Sequence, residues 1–302
     1  MRASIVIVSY NGRDYLRRCL VSLQAHLRAV EHEVIVVDNA SRDGTPQMVR
    51  EAFPQVRLIA RDTNAGFAGG ANHGLRAARG DAILLLNPDT TIDGDILSPM
   101  LSYLDAQPDT GILAPKLANE DGSLQLSCRA FPGFSTAIFN RYSLLTRLLP
   151  KNRFSQRYLM SDFDHSRIAG VDWVSAACWL LPRSTYERVG PLDEGYFWSI
   201  EDVDYCQRVH RAGLRVVYFP QAAVTHRIGG SSETAPARTL IGRHRGMWRY
   251  YRLYLRPGAA HLRVPVDALV ALGIGLRCAL LLASSGVRGL VGRGDSRVGG
   301  SG

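Results

Sequence analysis

Lysine is nearly missing from this chain. Of 36 basic residues among 302, only Lys116 and Lys151 are lysine. Arginine carries the remaining positive charge, a bias of the kind a GC-rich genome imposes. Cysteine is sparse. Cys19, Cys128, Cys178, Cys206 and Cys278 are odd in number, scattered, and free of CxxC spacing. That pattern excludes a disulfide framework and predicts reduced core thiols in a cytosolic protein. No secretory signal opens the chain, because the apolar run of "MRASIVIVSYNG" is too short for an h-region and meets a turn early. There are no repeats and no low-complexity linker before the last quarter of the chain. A GxGxxG dinucleotide fingerprint is also lacking: the first strand leads only into "SYNGRDY".

With 46% hydrophobic and 21% charged residues, the chain has the profile of a folded globular protein. Its length allows one large domain with an appendage. The net charge of +9 is local. Residues 234–302 hold 11 arginines against Asp267 and Asp295, leaving 25 residues of each sign in 1–233. Basicity therefore bears on the partners of the tail alone.

Short β-branched or leucine-rich runs at 4–10, 33–39, 56–60 and 82–87 read as buried strands. Between them lie helical patterns at 13–28 and 41–53, the second entered through turn residues and a proline. Alternation of this kind predicts an α/β fold with a parallel sheet covered on both faces. Ligands of such sheets sit outside the carboxyl ends of the strands, where Asn11, Asp38 and Asp89 fall. Residues 131–168 lack periodicity and read as loop with short helices. A strand is expected at 173–183, a helix at 199–213 and a pair of strands within 215–226.

Four stretches carry chemistry, each with a plain alternative. "NPDT" is a turn tetrapeptide, or it presents Asp89 as a hard oxygen ligand for Mg²⁺ or Mn²⁺. Asp38 in "VVDNASRDGT" caps the next turn, or accepts hydrogen bonds from a ribose or base edge. The small residues of "NAGFAGGANHG" pack a helix on the sheet, or let backbone approach a ligand. In "FWSIEDVDYCQR", Asp204 is explained by pairing with Arg208 at i+4. Glu201 and Asp202, behind Tyr196, Phe197 and Trp198, suit a desolvated general base beneath a sugar ring. His226 ends a strand and, with Asp89, would complete a mixed nitrogen and oxygen metal site.

Taken in order, "VIVSYNG", "VVDNASRDGT", "NAGFAGGANHG", "LLLNPDT", "DEGYFWSIEDVDYCQR" and "VTHRIGGSS" resemble family 2 glycosyltransferases of the GT-A fold. The nearest likeness is to bacterial rhamnosyltransferases of the cell-wall linker and O-antigen type, over about residues 3–255. The resemblance implies inverting transfer from a nucleotide sugar with a divalent cofactor, Mg²⁺ or Mn²⁺. It places Ser9, Tyr10, Asn11 and Asp38 on the nucleoside, and Asn64, Gly66, Asn72 and Asn87 along the donor. Asp89 and His226 would hold the metal, Asp202 would be the catalytic base, and Trp173, Trp198 and Glu201 would face the acceptor. The family's Asp-x-Asp metal motif is departed from: its first position is Asn87, leaving Asp89 the sole carboxylate there.

Residues 238–256 carry six arginines, Trp248 and three tyrosines without an acid, and an apolar run follows. This composition suits the headgroup layer of a membrane better than nucleic acid. A spanning helix would set Arg277 near mid-bilayer, so a helix lying in the interface is expected. The organisation expected is a catalytic domain over 1–235, with a nucleotide-sugar half at 1–98 and an acceptor half at 99–235. A membrane-associating tail at 236–291 and a disordered end at 292–302 complete it. The activity expected is transfer of L-rhamnose from dTDP-rhamnose to a polyprenyl-linked saccharide at the cytoplasmic membrane face. A UDP-sugar transferase, a nucleotidyltransferase and a non-catalytic carbohydrate-binding protein are the alternatives.

Overall fold

A computed structural model describes residues 1–133, 156, 158–160, 163–227 and 236–294. Five elements build the first half: strand β1 (Ala3–Ser9), helix α1 (Arg13–His26), strand β2 (His32–Asp38), helix α2 (Thr45–Ala52) and strand β3 (Arg57–Ala60). Helix α3 (Gly66–Ala77), strand β4 (Ala82–Leu86), the short β5 (Thr90–Thr91), helix α4 (Leu97–Ala106) and strand β6 (Thr110–Ala118) follow. Short strands β7 (Leu124–Gln125), β8 (Cys128–Arg129), β9 (Ala169–Gly170) and β10 (Trp173–Val174) precede β11 (Cys178–Pro182). Helices α5 (Arg183–Val189) and α6 (Glu201–Arg211) lead to the long strand β12 (Arg215–His226). The tail is helix α7 (Pro236–Tyr250), a π turn (Tyr251–Leu255) and helix α8 (Ala260–Gly294).

The main sheet runs β3-β2-β1-β4-β11-β6-β12-β5. Its first four strands are parallel, as the alternating pattern predicts. The sheet is mixed beyond them, because β11 enters antiparallel to β4 and β6. Along β1, Ile5 and Ile7 join a core with Leu16, Leu20 and Leu23 of α1, while Val6 and Val8 join a second core with Ala68, Ala71 and Leu75 of α3. Burial on both faces explains why β1 and β4 read as unbroken apolar runs.

The expected strand at 173–183 is two pieces, β10 and β11, separated by Ser175–Ala177. The segment 215–226 is one strand, whose pairing with β6 is interrupted between Phe219 and Ala223. That bulge accounts for the proline and polar break that look like two strands in the sequence. Helix α8 continues to Gly294, past the expected limit of the tail, and the expected disordered end beyond it lies outside the described residues. Most of the irregular stretch 131–168 lies outside them too.

Candidate active site

Register decides what the sheet presents. Ser9 pairs with Asp38, and Ile7 with Leu86, so the carboxyl ends of β1, β2 and β4 form one rim. β11 runs the opposite way, with Cys178 opposite Leu86. Its entrance therefore lies on the same rim. The Asn87 N–H donates to the Ala177 carbonyl at 2.9 Å. The N–H of the preceding residue, Ala176, faces the Asp202 carboxylate at the start of α6. The loop between β10 and β11 thus bonds the end of β4 and runs beside the first turn of α6.

On the β1–β2 side, Ser9, Asp38 and Asn39 are almost fully buried. One Asp38 oxygen accepts the Ser41 N–H at 2.9 Å. The other Asp38 oxygen, the Ser9 hydroxyl and the Asn39 side-chain oxygen Oδ1 lack a protein partner. Burial pushes the Asp38 carboxyl above its ordinary range. Leaving buried polar atoms unsatisfied costs roughly 1–3 kcal/mol each, so three together mark a place built for a polar ligand. Tyr10, half-buried, follows Ser9. Asn11 adopts φ 49° and locks two loops: its N–H donates to Ser41 Oγ, and its side-chain oxygen accepts the Arg42 N–H, both at 2.8 Å.

Asn64 accepts the Gly66 N–H at 2.8 Å, closing the turn into α3. Gly66 sits at φ +76°, where a Cβ would stand 2.3 Å from the Phe197 carbonyl oxygen. Only glycine allows this approach, and it brings the Phe197–Ile200 loop against the donor side. Asn39 donates its amide to the Gly66 carbonyl at 2.9 Å.

At the end of β4, the Thr90 hydroxyl donates to the Asn87 carbonyl at 2.6 Å and closes the turn that carries Asp89. The β5–β12 ladder sets His226 opposite Thr90. His226 Nε2 consequently stands 3.4 Å from Asp89 Oδ1 and 3.5 Å from the Asn87 amide nitrogen. The other ring nitrogen, Nδ1, meets Gln125 Oε1 at 2.7 Å, and Gln125 donates to the His226 carbonyl at 3.1 Å. An amide oxygen only accepts, so Nδ1 donates to Gln125, and Nε2 is the ring nitrogen that faces the Asp89 carboxylate. Two donors a little over 3 Å apart match the span of adjacent ligands on an ion bound at about 2.1 Å. Among the described residues there is no group of three or more His, Cys, Asp or Glu for a metal. The donor set fits an ion that keeps positions for phosphate oxygens and water, as Mg²⁺ commonly does.

Glu201 and Asp202 begin α6 directly after Ser199 and Ile200, which hold φ 68° and 78°. Positive φ in a β-branched residue is a real outlier and is sustained here by packing. Glu201 is 7% exposed, and its Oε2 lacks a hydrogen-bond partner. Burial, reinforced by the neighbouring Asp202 charge, pushes the Glu201 carboxyl well up. Asp202 is enclosed by protein yet touched by solvent, and burial raises its carboxyl also, against the pull of the Val203 N–H and the Arg129 charge. Asp204, two residues on, is buried and held by Arg208 at 2.9 Å and by the Tyr254 hydroxyl at 2.6 Å. That is the i+4 pairing expected from the sequence. It leaves Asp202 as the acid of this helix open to a ligand.

The model of glycosyl transferase family 2 matches residues 4–160, more than half of the chain. The chain belongs to this family. It is 31% identical over 282 residues to an N-acetylglucosaminyl-diphospho-decaprenol L-rhamnosyltransferase of Mycobacterium tuberculosis, covering 86% of this chain and 90% of that protein. It is 28% identical over 234 residues to the rhamnosyltransferase WbbL of Escherichia coli K12, covering 74% and 82%. Among solved structures it resembles a mannosyltransferase of Pyrobaculum calidifontis in complex with GDP-Man and Mn²⁺, at 18% identity and TM-score 0.57 over 96% of this chain and 80% of that one. The GT-A architecture expected from the motifs is the one observed, and the protein is a glycosyltransferase.

Not every expected residue reaches the family 2 site. Asn72 is buried, and its amide is committed to the Leu192 backbone N–H and C=O and to Glu194, each at 2.9 Å. It clamps α3 to the 192–194 loop and borders a hollow of about 600 Å³ with Asp204 and Tyr254, so its donor role is replaced by a structural one. Trp173 is likewise not an open platform. It is 7% exposed, gives its indole N–H to the Ala130 carbonyl, and underlies the Arg129 guanidinium at 5.3 Å. Trp198 is half-buried on the loop before α6. Sequence reasoning passed over Asn39, although it sits in the motif beside Asp38, and over Gln125, whose loop carries no signal.

Proposed function

We propose that this family 2 member is an inverting, metal-dependent rhamnosyltransferase whose acceptor is a polyprenyl-linked saccharide at the cytoplasmic membrane face. The observation that carries the reading is the 3.4 Å approach of His226 Nε2 to Asp89 Oδ1 at the rim where Ser9 and Asp38 also end their strands. In this reading the base serves the acceptor side and the polar rim of β1 and β2 the nucleotide side. The relatives named above lend the sugar and the lipid diphosphate.

Asp202 takes the proton of the acceptor hydroxyl as that oxygen attacks the anomeric carbon. The anomeric carbon–oxygen bond breaks with inversion, and its electron pair departs on the nucleoside diphosphate. Its raised basicity suits Asp202 to this task. Ser9, Asp38 and Asn39 receive the nucleoside, while Asn64 and Gly66 shape the backbone beside the sugar. Asp89 and His226 would hold a divalent cation, which when bound would absorb charge developing on the diphosphate.

The tail brings this site to the lipid. Ala260–Ser284 is long and apolar enough to cross a membrane, with mean hydropathy 2.0, and none of its most apolar window is buried. Asp267, early in α8, is held by Arg256 and the Tyr251 hydroxyl, while Arg277 reaches back to Met247 of α7. A helix tied along its neighbour in this way lies in the interface.

The test is a panel of dTDP-rhamnose, UDP-sugars and GDP-mannose with polyprenyl diphospho-N-acetylglucosamine. Assays run with and without chelator, on the native protein and Asp202→Asn. Release of dTDP alone, lost to chelator and to Asp202→Asn with donor binding kept, is expected. Turnover with UDP-sugars instead, or an active Asp202→Asn protein, would overturn the donor or the base assignment respectively.

A further inference from the structure

The composition of "RYYRLYLR" (249–256) suits a membrane headgroup layer, yet all three tyrosine hydroxyls have protein partners. Tyr250, at the end of α7, accepts the Gln207 amide at 3.2 Å. Tyr254 donates to Asp204 Oδ1 at 2.6 Å. Tyr251 turns the other way and donates to Asp267 of α8 at 2.8 Å. Tyr250 and Tyr254 stand four residues apart, with ring centroids 4.8 Å from each other. The π turn makes this pairing. Its i→i+5 bonding widens the helix, so residues four apart align more nearly along one face than α geometry allows.

That face grips α6. Asp204, Gln207 and Arg211 lie at i, i+3 and i+7, one stripe of the helix, and each meets a tyrosine of the tail. The Arg211 guanidinium sits over the Tyr254 ring at 4.6 Å. Asp204 is the innermost contact, 1% exposed, with one oxygen on Tyr254 and the other on Arg208 at 2.9 Å. Its N–H closes the first turn of α6 on the Ile200 carbonyl at 2.9 Å. That turn carries Glu201 and Asp202. It opens from two residues at positive φ, and its N-cap, Ile200, makes no side-chain bond to the helix. A start of this kind needs a hold from outside, and a short hydroxyl-to-carboxylate bond is of the strong class. The tail that supplies it is itself anchored. Arg249 forks onto Asp193 at 2.7 and 2.9 Å, and Gly242 and Gly246 seat α7 against Trp198 and Ser199.

We propose that Tyr254 is a positioning residue for the transfer reaction: from the π turn it holds Asp204, and through Asp204 the turn of α6 that carries Asp202. This deepens the function proposed above and rests on Asp202 as its base. A base set slightly out of place leaves substrate binding intact and loses rate. Phenylalanine at 254 keeps the ring beside Arg211 and Tyr250 and removes only the hydroxyl, so its effect falls on kcat.

The experiment uses the full chain in detergent and takes two readouts. Binding sites are counted by calorimetric titration with dTDP-rhamnose, and transfer to polyprenyl diphospho-N-acetylglucosamine is expressed per site. Tyr254→Phe is expected to lower kcat per site about tenfold, with KM for donor and acceptor kept within about twofold. Amide hydrogen exchange is expected to quicken about tenfold in the first turn of α6 and to stay as it is in β1 and β4. A merely structural tyrosine would reduce the number of sites and leave the rate of each unchanged. A native rate per site, native exchange in α6, or a loss carried by donor KM would therefore overturn the proposal. Tyr250→Phe loses only the bond to Gln207, farther from the base, and is expected to show a smaller fall. Should Tyr254→Phe not fold, an unchanged rate per site in Tyr250→Phe would overturn the proposal instead. Native protein that transfers no rhamnose, or an active Asp202→Asn protein, refutes the underlying function by itself, however the tyrosine variants behave.

Discussion

His226 Nε2 stands 3.4 Å from Asp89 Oδ1, although 137 positions (226 − 89) separate the two residues in the chain. The β5–β12 pairing makes this contact, and Gln125 fixes the imidazole from behind at 2.7 Å. Groups that orient a metal-binding histidine are commonly worth ten- to a hundredfold in affinity. Gln125→Leu should therefore weaken Mn²⁺ binding about tenfold or more, read by calorimetric titration in the presence of nucleoside diphosphate. Asp89→Ala should abolish it. Unaltered Mn²⁺ affinity in Gln125→Leu would remove Gln125 from any metal-orienting role.

Glu201 gives a prediction about stability, with its sign fixed by linkage. An ordinary glutamate ionises near pH 4.3, and burial raises Glu201 well above that in the folded protein. The folded chain holds this proton where the unfolded chain has lost it. Stability contributed by Glu201 is therefore full at low pH and falls as pH rises from the ordinary value through the native one. Glutamine cannot ionise. Glu201→Gln should gain on the native protein by about 1.4 kcal/mol per unit of elevation, and only across that window. Urea unfolding at about pH 4.5 and about pH 8.5 measures it. A difference that does not change with pH would show that Glu201 ionises normally.

How much of this could be read from the sequence differs by element. Strands β1, β2 and β4 were legible because both their faces are buried, which leaves an uninterrupted apolar signal. Asp89 and His226 were legible as motifs, and their approach to 3.4 Å follows from register that motifs do not state. The mixed sheet was hidden, because β11 is an apolar strand whose direction its composition does not encode. The commitment of Asn72 was hidden for a related reason. Its partners, Leu192 and Glu194, are far away in the chain, so nothing local marks the amide as already satisfied. Likewise, Trp173 looked like a sugar platform by residue type, and only burial beneath Arg129 shows that it supports another side chain.

The proposed function divides the tail into α7, packed on the loop before Glu201, and α8, whose leucines are exposed. Deleting 257–302 removes α8 and its exposed leucines but keeps α7 and the π turn, whose Tyr254 hydroxyl holds Asp204. The shortened protein should lose most binding to sedimented vesicles containing anionic phospholipid. It should keep transfer to a water-soluble acceptor within a few-fold. Undiminished vesicle binding would place the membrane contact elsewhere, and lost transfer to the soluble acceptor would show that α8 supports the catalytic domain.

Gly66 is the point where the start of α3 and the loop before Glu201 are pressed together. Substitution by alanine meets two obstacles: a left-handed φ of +76° and a Cβ 2.3 Å from the Phe197 carbonyl oxygen. The backbone term alone costs roughly 1–2 kcal/mol. The contact adds to it by pushing the Phe197–Ile200 loop away, with Glu201 and Asp202 at its end. Gly66→Ala should therefore lower the melting temperature and also reduce the turnover rate by more than the loss of folded protein explains. Gly94, whose Cβ would meet nothing within 4 Å, supplies the control, and Gly94→Ala should change neither. A Gly66→Ala protein with native melting and native turnover would show that the loop yields freely, and that the close approach does not set the position of the base.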